Sequence, residues 1–240
     1  MQQPEIRAGS EPENCVTPEL IIFDCDGVLV DSEPISIAVL VDIVTAAGVT
    51  ISEETAYERF LGKSMATITE ILRTDFDLVV TPVHLEDIRA ELYARFRQSL
   101  KAIAGVSDVL KRLAMPYCVA SSSQPERIRL SLQVTGLLEQ FEPHIYSATM
   151  VKRGKPFPDL FLHAARGMGA HPDRCLVIED SPAGILAARE AGMRVFAFTG
   201  GSHAGEGALQ AAIEGLEPDV IFGDMRQLPA LLSQAGAKAS

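Results

Sequence analysis

The stretch LIIFDCDGVLVDS, residues 20–32, decides the fold. Its first four residues are apolar and read as a buried strand; Asp24 and Asp26 follow at the carboxyl end, and Gly27 turns the chain. Two carboxylates so close repel: at ~5 Å and an effective dielectric of ~20 the cost is on the order of 3 kcal/mol. A strand end made only for structure is rarely built this way, so a cation or a reaction is expected to offset the repulsion. Cys25, between the two acids, points the opposite way in an extended chain and reads as core filling.

Downstream of Gly105 strands and helices alternate. Apolar runs at YCVAS, HIYSA, CLVIED, VFAFTG and DVIFG predict strands. Helices are predicted from Val106 to Leu113, after Pro125, over PDLFLHAARGMG, over PAGILAAREAG and at the end of the chain. Apolar strands alternating with helices indicate a parallel sheet covered on both faces.

Between the first strand and this series only helix signals occur. Ser32 with Pro34, Ser52, Ser64, and Thr81 with Pro82 are start signals, and Gly48 and Gly62 are stops. The last of these helices carries apolar Val83, Leu85, Ile88, Leu92 and Phe96 at helical spacing, and such stripes read as the core of the helical insertion. The expected fold is therefore α/β: a Rossmann-like parallel sheet core, residues 18–33 and 101–240, with an all-helical insertion at 34–100. Residues 1–17 are polar and aperiodic and read as a flexible tail.

Composition narrows the function classes. With 240 residues and 47% hydrophobic content the chain is long and apolar enough for a globular core with a smaller companion. A net charge of −11 opposes nucleic-acid binding, which needs a basic footprint, yet leaves room for a local cationic site. The N-terminal residues lack the apolar run of a signal peptide, and the apolar stretch SIAVLVDIVTAAG is interrupted by Asp42. A soluble cytoplasmic protein with no membrane partner is expected. Cys15, Cys25, Cys118 and Cys175 have no CxxC spacing, and three of them lie in or beside apolar runs as reduced core residues.

In open α/β sheets ligands bind at the carboxyl ends of the strands. The residues there are Asp24 and Asp26, then Ser121 and Ser122, then Glu179 and Asp180, with Lys155 just past the short strand. Each alone has an ordinary reading, as a helix cap or a surface lysine; their joint occurrence does not. Carboxylates without nearby His or Cys form a hard oxygen site suited to Mg2+. One carboxylate is then placed to attack phosphorus, a second to move protons, and Ser121 and Lys155 to stabilise the developing phosphoryl charge.

At these residues the chain resembles the haloacid dehalogenase superfamily, over essentially everything after the tail. DCDGVLVDS resembles its first motif, VASSS the second, KPFPDLF the lysine motif and VIEDSPAG the acidic fourth, in order. The insertion resembles the family's helical cap. The likeness is greatest to the branch acting on small sugar phosphates, with β-phosphoglucomutase-like and 6-phosphogluconate phosphatase-type members. It implies an Mg2+-dependent phosphatase acting on a small phosphorylated metabolite through an aspartyl phosphate. Asp24 would be nucleophile and metal ligand, and Asp26 the general acid/base with its backbone carbonyl on the metal. Ser121 and Lys155 would hold the transferred group, and Asp180 would be a ligand, with Glu179 a ligand in some relatives and an outer partner in others. Dehalogenation is disfavoured because Asp26 and the fourth-motif acids are present.

The mutase alternative expects an arginine in the cap for a second phosphate; FLGKSMATI has Lys63 and Met65 there instead. Lys63, with Arg59, is thus a candidate for the distal end of the substrate, although a helix stop followed by a cap explains GKS equally well. It is not a P-loop, since Tyr57 stands where the required glycine belongs. TGGSHAGEG, residues 199–207, reads as a flexible loop rather than a nucleotide site, and His203 as a solvated loop histidine in preference to one that reaches the active-site edge. A receiver-type phosphoacceptor switch shares the acids, hydroxyl and lysine, but would carry its acceptor on a later strand and no large insertion.

Overall fold

The computed structural model describes residues 17–61, 63–203 and 207–237, so the expected tail lies outside it except for Thr17. The chain divides into two compact units, one running to Asp31 and resuming at Lys101, the other Ser32–Leu100.

The larger unit is built on six parallel strands in the order β3-β2-β1-β4-β5-β6. They are β1 (Leu20–Phe23), β2 (Tyr117–Ser121), β3 (Ile145–Ser147), β4 (Cys175–Glu179), β5 (Arg194–Phe198) and β6 (Val220–Phe222). The chain winds outward from β1 through β2 to β3, then returns to build β4, β5 and β6 on the other side. That reversal opens a crevice at the carboxyl ends of β1 and β4. Register fixes what lines it. Phe23 pairs with Val119 on one side and Ile178 on the other, so Asp24 and Glu179 each stand one residue beyond a matched pair.

Alternate residues cover the two faces. Leu20, Ile22, Cys118, Ala120, Cys175, Val177, Val195 and Ala197 join Leu160, Phe161 and Ala164 on one side in a single buried cluster. Phe23 and Phe141 meet edge to face at 6.2 Å, and Tyr117 meets Phe141 at 5.3 Å. Burial of each such side chain stabilises by roughly 1.5–3 kcal/mol. Cys25, Cys118 and Cys175 are buried free thiols.

Among the described residues, two α-helices were not signalled by the sequence. Leu138–Phe141 is a single turn, too short to show a period, and Gly207–Gly215 has glycine at both ends.

The smaller unit consists of α1 (Glu33–Ala46), α2 (Glu53–Phe60), α3 (Met65–Asp75) and α4 (Pro82–Ser99), with α1 packed along α4. Ser52, Ser64 and Thr81 each accept a backbone N–H three residues on, as their sequence context predicts. Ser32 does not: its backbone is already helical, at φ −90° and ψ −22°, and its side chain makes no cap. On α4, Ile88, Leu92 and Phe96 are buried at four-residue spacing, whereas Val83 and Leu85, expected with them, are 62% and 41% exposed. The first turn of α4 therefore lies off the buried stripe. Among the described residues no helix is long and apolar enough to cross a membrane.

Candidate active site

Asp24 leaves β1 with its N–H donating to the Ile178 carbonyl at 3.0 Å, which seats it against β4. Lys155, 5% exposed, arrives from the segment before the helix Asp159–Gly167. Its ammonium donates to Asp24 Oδ1 at 2.7 Å and to Glu179 Oε1 at 2.6 Å, and lies 5.0 Å from the centre of the Phe161 ring. Burial alone would lower the Lys155 pKa, but Asp24 and Glu179 outweigh it and hold the ammonium above its ordinary range.

Glu179 is held from both ends. Its Oε2 accepts from the N–H groups of Asp180 and Ser181, at 2.8 and 2.7 Å, and from the Ser181 hydroxyl at 2.9 Å. Ser181 also caps the following helix, Pro182–Glu190, by accepting from Gly184 N at 3.1 Å. Asp24, Glu179 and Asp180 present carboxylate oxygens within 4.8 Å of one another, all on buried residues. Burial pushes the Asp24 carboxyl well above the usual range; Lys155 opposes this, while Glu179, Asp180 and Asp26 add to it. Such an all-carboxylate set fits a hard divalent cation.

Asp26 stands apart from that trio. Its Oδ2 accepts from the Ser123 hydroxyl at 2.7 Å and its Oδ1 from Arg127 at 2.9 Å. Gly27 then turns the chain at φ +79°, where a side chain would also collide with the Asp180 carboxylate. Ser121 is buried and its hydroxyl accepts from Ser123 N at 3.1 Å; Ser122 is exposed. Lys63 is exposed and belongs to the helical unit. Arg59, considered with it for substrate contact, is paired with Asp75.

The structure corrects the reading of His203 as solvated. His203 is 4% exposed, with Nε2 3.0 Å from Asp180 Oδ2. Its glycine-rich surroundings suggested solvent; only the folded chain shows that the glycines make room for the ring. Residues 204–206 of the same stretch lie outside the described residues.

The profile of the haloacid dehalogenase-like hydrolases matches residues 21–198. The chain belongs to this family. It is 32% identical to the 6-phosphogluconate phosphatase of Escherichia coli over 186 residues, 77% of this chain and 84% of that protein. A haloacid dehalogenase-like protein of unknown function from Agrobacterium tumefaciens shares 40% identity at a TM-score of 0.81, covering 92% of this chain and 99% of the other. A family hydrolase from Deinococcus radiodurans, solved with bound phosphate and sodium, shares 33% identity at a TM-score of 0.75, covering 92% and 97%. With phosphatases among its relatives, this member of the family is a phosphoric monoester hydrolase. Membership sets aside the receiver-type alternative.

Proposed function

We propose that this hydrolase is an Mg2+-dependent phosphatase that cleaves a small phosphorylated sugar or sugar acid through an aspartyl phosphate on Asp24. The observation that carries the reading is the buried contact of Asp24 with Lys155 beside Glu179 and Asp180. The three clustered carboxylates of Asp24, Glu179 and Asp180 share the single ammonium of Lys155, so the cluster carries excess negative charge. Burial raises the Asp24 pKa, and a cation bound beside it would favour the charged form of the nucleophile. Asp24 and Asp180, with the Asp26 carbonyl, would hold Mg2+; Glu179, its Oε2 already accepting three donors, holds Lys155 in place. When bound, Mg2+ supplies charge neutralisation for the phosphoryl oxygens.

The chain's own groups account for the proton and electron movements. An Asp24 oxygen attacks phosphorus, the ester P–O bond breaks, and the leaving oxygen takes its electron pair and a proton from Asp26. Asp26, protonated at the outset and now a carboxylate, then removes a proton from a water that attacks the aspartyl phosphate, which releases inorganic phosphate and restores both Asp24 and the acid form of Asp26. Ser121 and Lys155 donate to the transferred group. The inserted helical unit is read as the cap that selects substrate, with Lys63 toward its distal end. A lysine point charge there suits a carboxylate as well as a phosphate, which favours a 6-phosphogluconate-like substrate. The E. coli relative named for that activity supports this choice.

The test is phosphate release across phosphorylated sugars and sugar acids, with Mg2+ and with chelator, in the native enzyme and in Asp24→Asn. Metal-dependent hydrolysis that Asp24→Asn abolishes, with an unchanged circular dichroism spectrum, is expected. Full activity in exhaustive chelator would overturn the metal assignment. Interconversion of glucose 1-phosphate and glucose 6-phosphate with little free phosphate would make the protein a mutase.

A further inference from the structure

The segment after β5 is fastened at several points. Thr199 N donates to the Phe222 carbonyl at 2.9 Å, and Ser202 donates to the Asp31 carboxylate from its N–H at 3.1 Å and from its hydroxyl. These bonds deliver His203 beneath the Gly27 turn. The imidazole occupies a slot between two glycine backbones. A Cβ on Gly27 would stand 2.9 Å from its Cε1; one on Gly201 would stand 2.7 Å from Cε1 and 2.8 Å from Nδ1. Separate turns of the chain thus give up side chains to admit one ring, whose Nε2 meets Asp180 Oδ2 at 3.0 Å. A carboxylate only accepts, so Nε2 carries the donated proton.

We propose that His203 is a positioning residue for Asp180: its Nε2–H restricts the carboxylate to one rotamer, which sets how Asp180 meets a divalent cation shared with Asp24. The proposal rests on the reading of this acid cluster as an Mg2+ site. An acid that must otherwise select its rotamer on metal binding loses affinity, and partners of ligands typically contribute 10–100-fold. Asp180 thereby differs from Glu179, which is fixed by backbone N–H groups of its own strand end and by Lys155.

Two variants that both fill the slot separate positioning from packing. His203→Gln places an amide N–H close to where Nε2 stands; His203→Met offers no donor. Mg2+ is titrated into the native protein and each variant without substrate, and binding is read by calorimetry and by the shift in thermal midpoint. The expected result is a dissociation constant raised about ten-fold or more in His203→Met and largely restored in His203→Gln. Equal affinity in all three proteins would overturn the proposal, and so would equal weakening in both variants, which would make the ring's packing the cause. Should the native protein bind no Mg2+, the reading of the cluster as a metal site falls, and this inference with it.

Discussion

Lys155 is the residue whose loss the buried site tolerates least. Its ammonium is the partner of both Asp24 and Glu179, and removing one member of a buried pair leaves an uncompensated charge. Lys155→Met is expected to abolish turnover and cost about 3–5 kcal/mol of stability, read from the urea midpoint. A loss under 1 kcal/mol would show that the carboxylates are hydrated rather than buried. The free thiols make a different prediction. Burial pushes Cys118 above its ordinary range, with Cys175 adding to the effect, and burial pushes Cys175 up to about 11. In the unfolded chain both ionise near ~8.5. Above that pH the unfolded state has lost protons that the folded state retains, so stability falls as pH rises, by up to about 1.4 kcal/mol per thiol per pH unit. Replacing both cysteines by alanine should flatten this alkaline decline in urea titrations between pH ~9 and ~11; an unchanged slope would assign it to other groups.

The junction of β4 with the helix Pro182–Glu190 is a single unit in which one hydroxyl serves two elements. Ser181 caps the helix and donates to Glu179. Ser181→Ala should cost about 1 kcal/mol through the lost cap and reduce turnover, because Glu179 and with it Lys155 are held less firmly. Unaltered kcat with lowered stability would confine Ser181 to the helix. How much of this was readable from residues depends on distance along the chain. Asp24, Ser121, Glu179 and Asp180 each end an apolar run, so parallel pairing with β1 central brings them to one edge. Arg127 and Ser123 reach Asp26 only because β2 lies beside β1, a matter of strand order that no local pattern encodes. His203 was hidden for a related reason: its burial comes from Gly27 and Gly201, which come beside the ring only in the folded chain. Val83 misled because helical spacing marks a stripe without marking where burial begins.

At the scale of the whole molecule, the proposed function gives the chemistry to the sheet-bearing unit and the choice of substrate to the helical one. If Lys63 reads the distal end of the substrate, Lys63→Ala should raise KM for sugar-acid phosphates about ten-fold or more, roughly the ~1.4 kcal/mol of one charged contact, while sparing a small generic phosphomonoester. Equal loss on every substrate would make the lysine structural. The junction between the units carries a longer consequence. The helical unit departs after Asp31 and the chain resumes at Lys101, and these two residues are joined by an N–H to carbonyl bond of 3.0 Å, with Val30 bridged antiparallel to Ala102 beside it. Because the ends are stapled together by the sheet-bearing unit, the length of what hangs between them enters the closure entropy only as a logarithm. Such a junction works as a socket. Descendants of one ancestral gene can lengthen, trade or remodel the plug while the acids at the strand ends stay in register, so specificity is free to drift faster than mechanism.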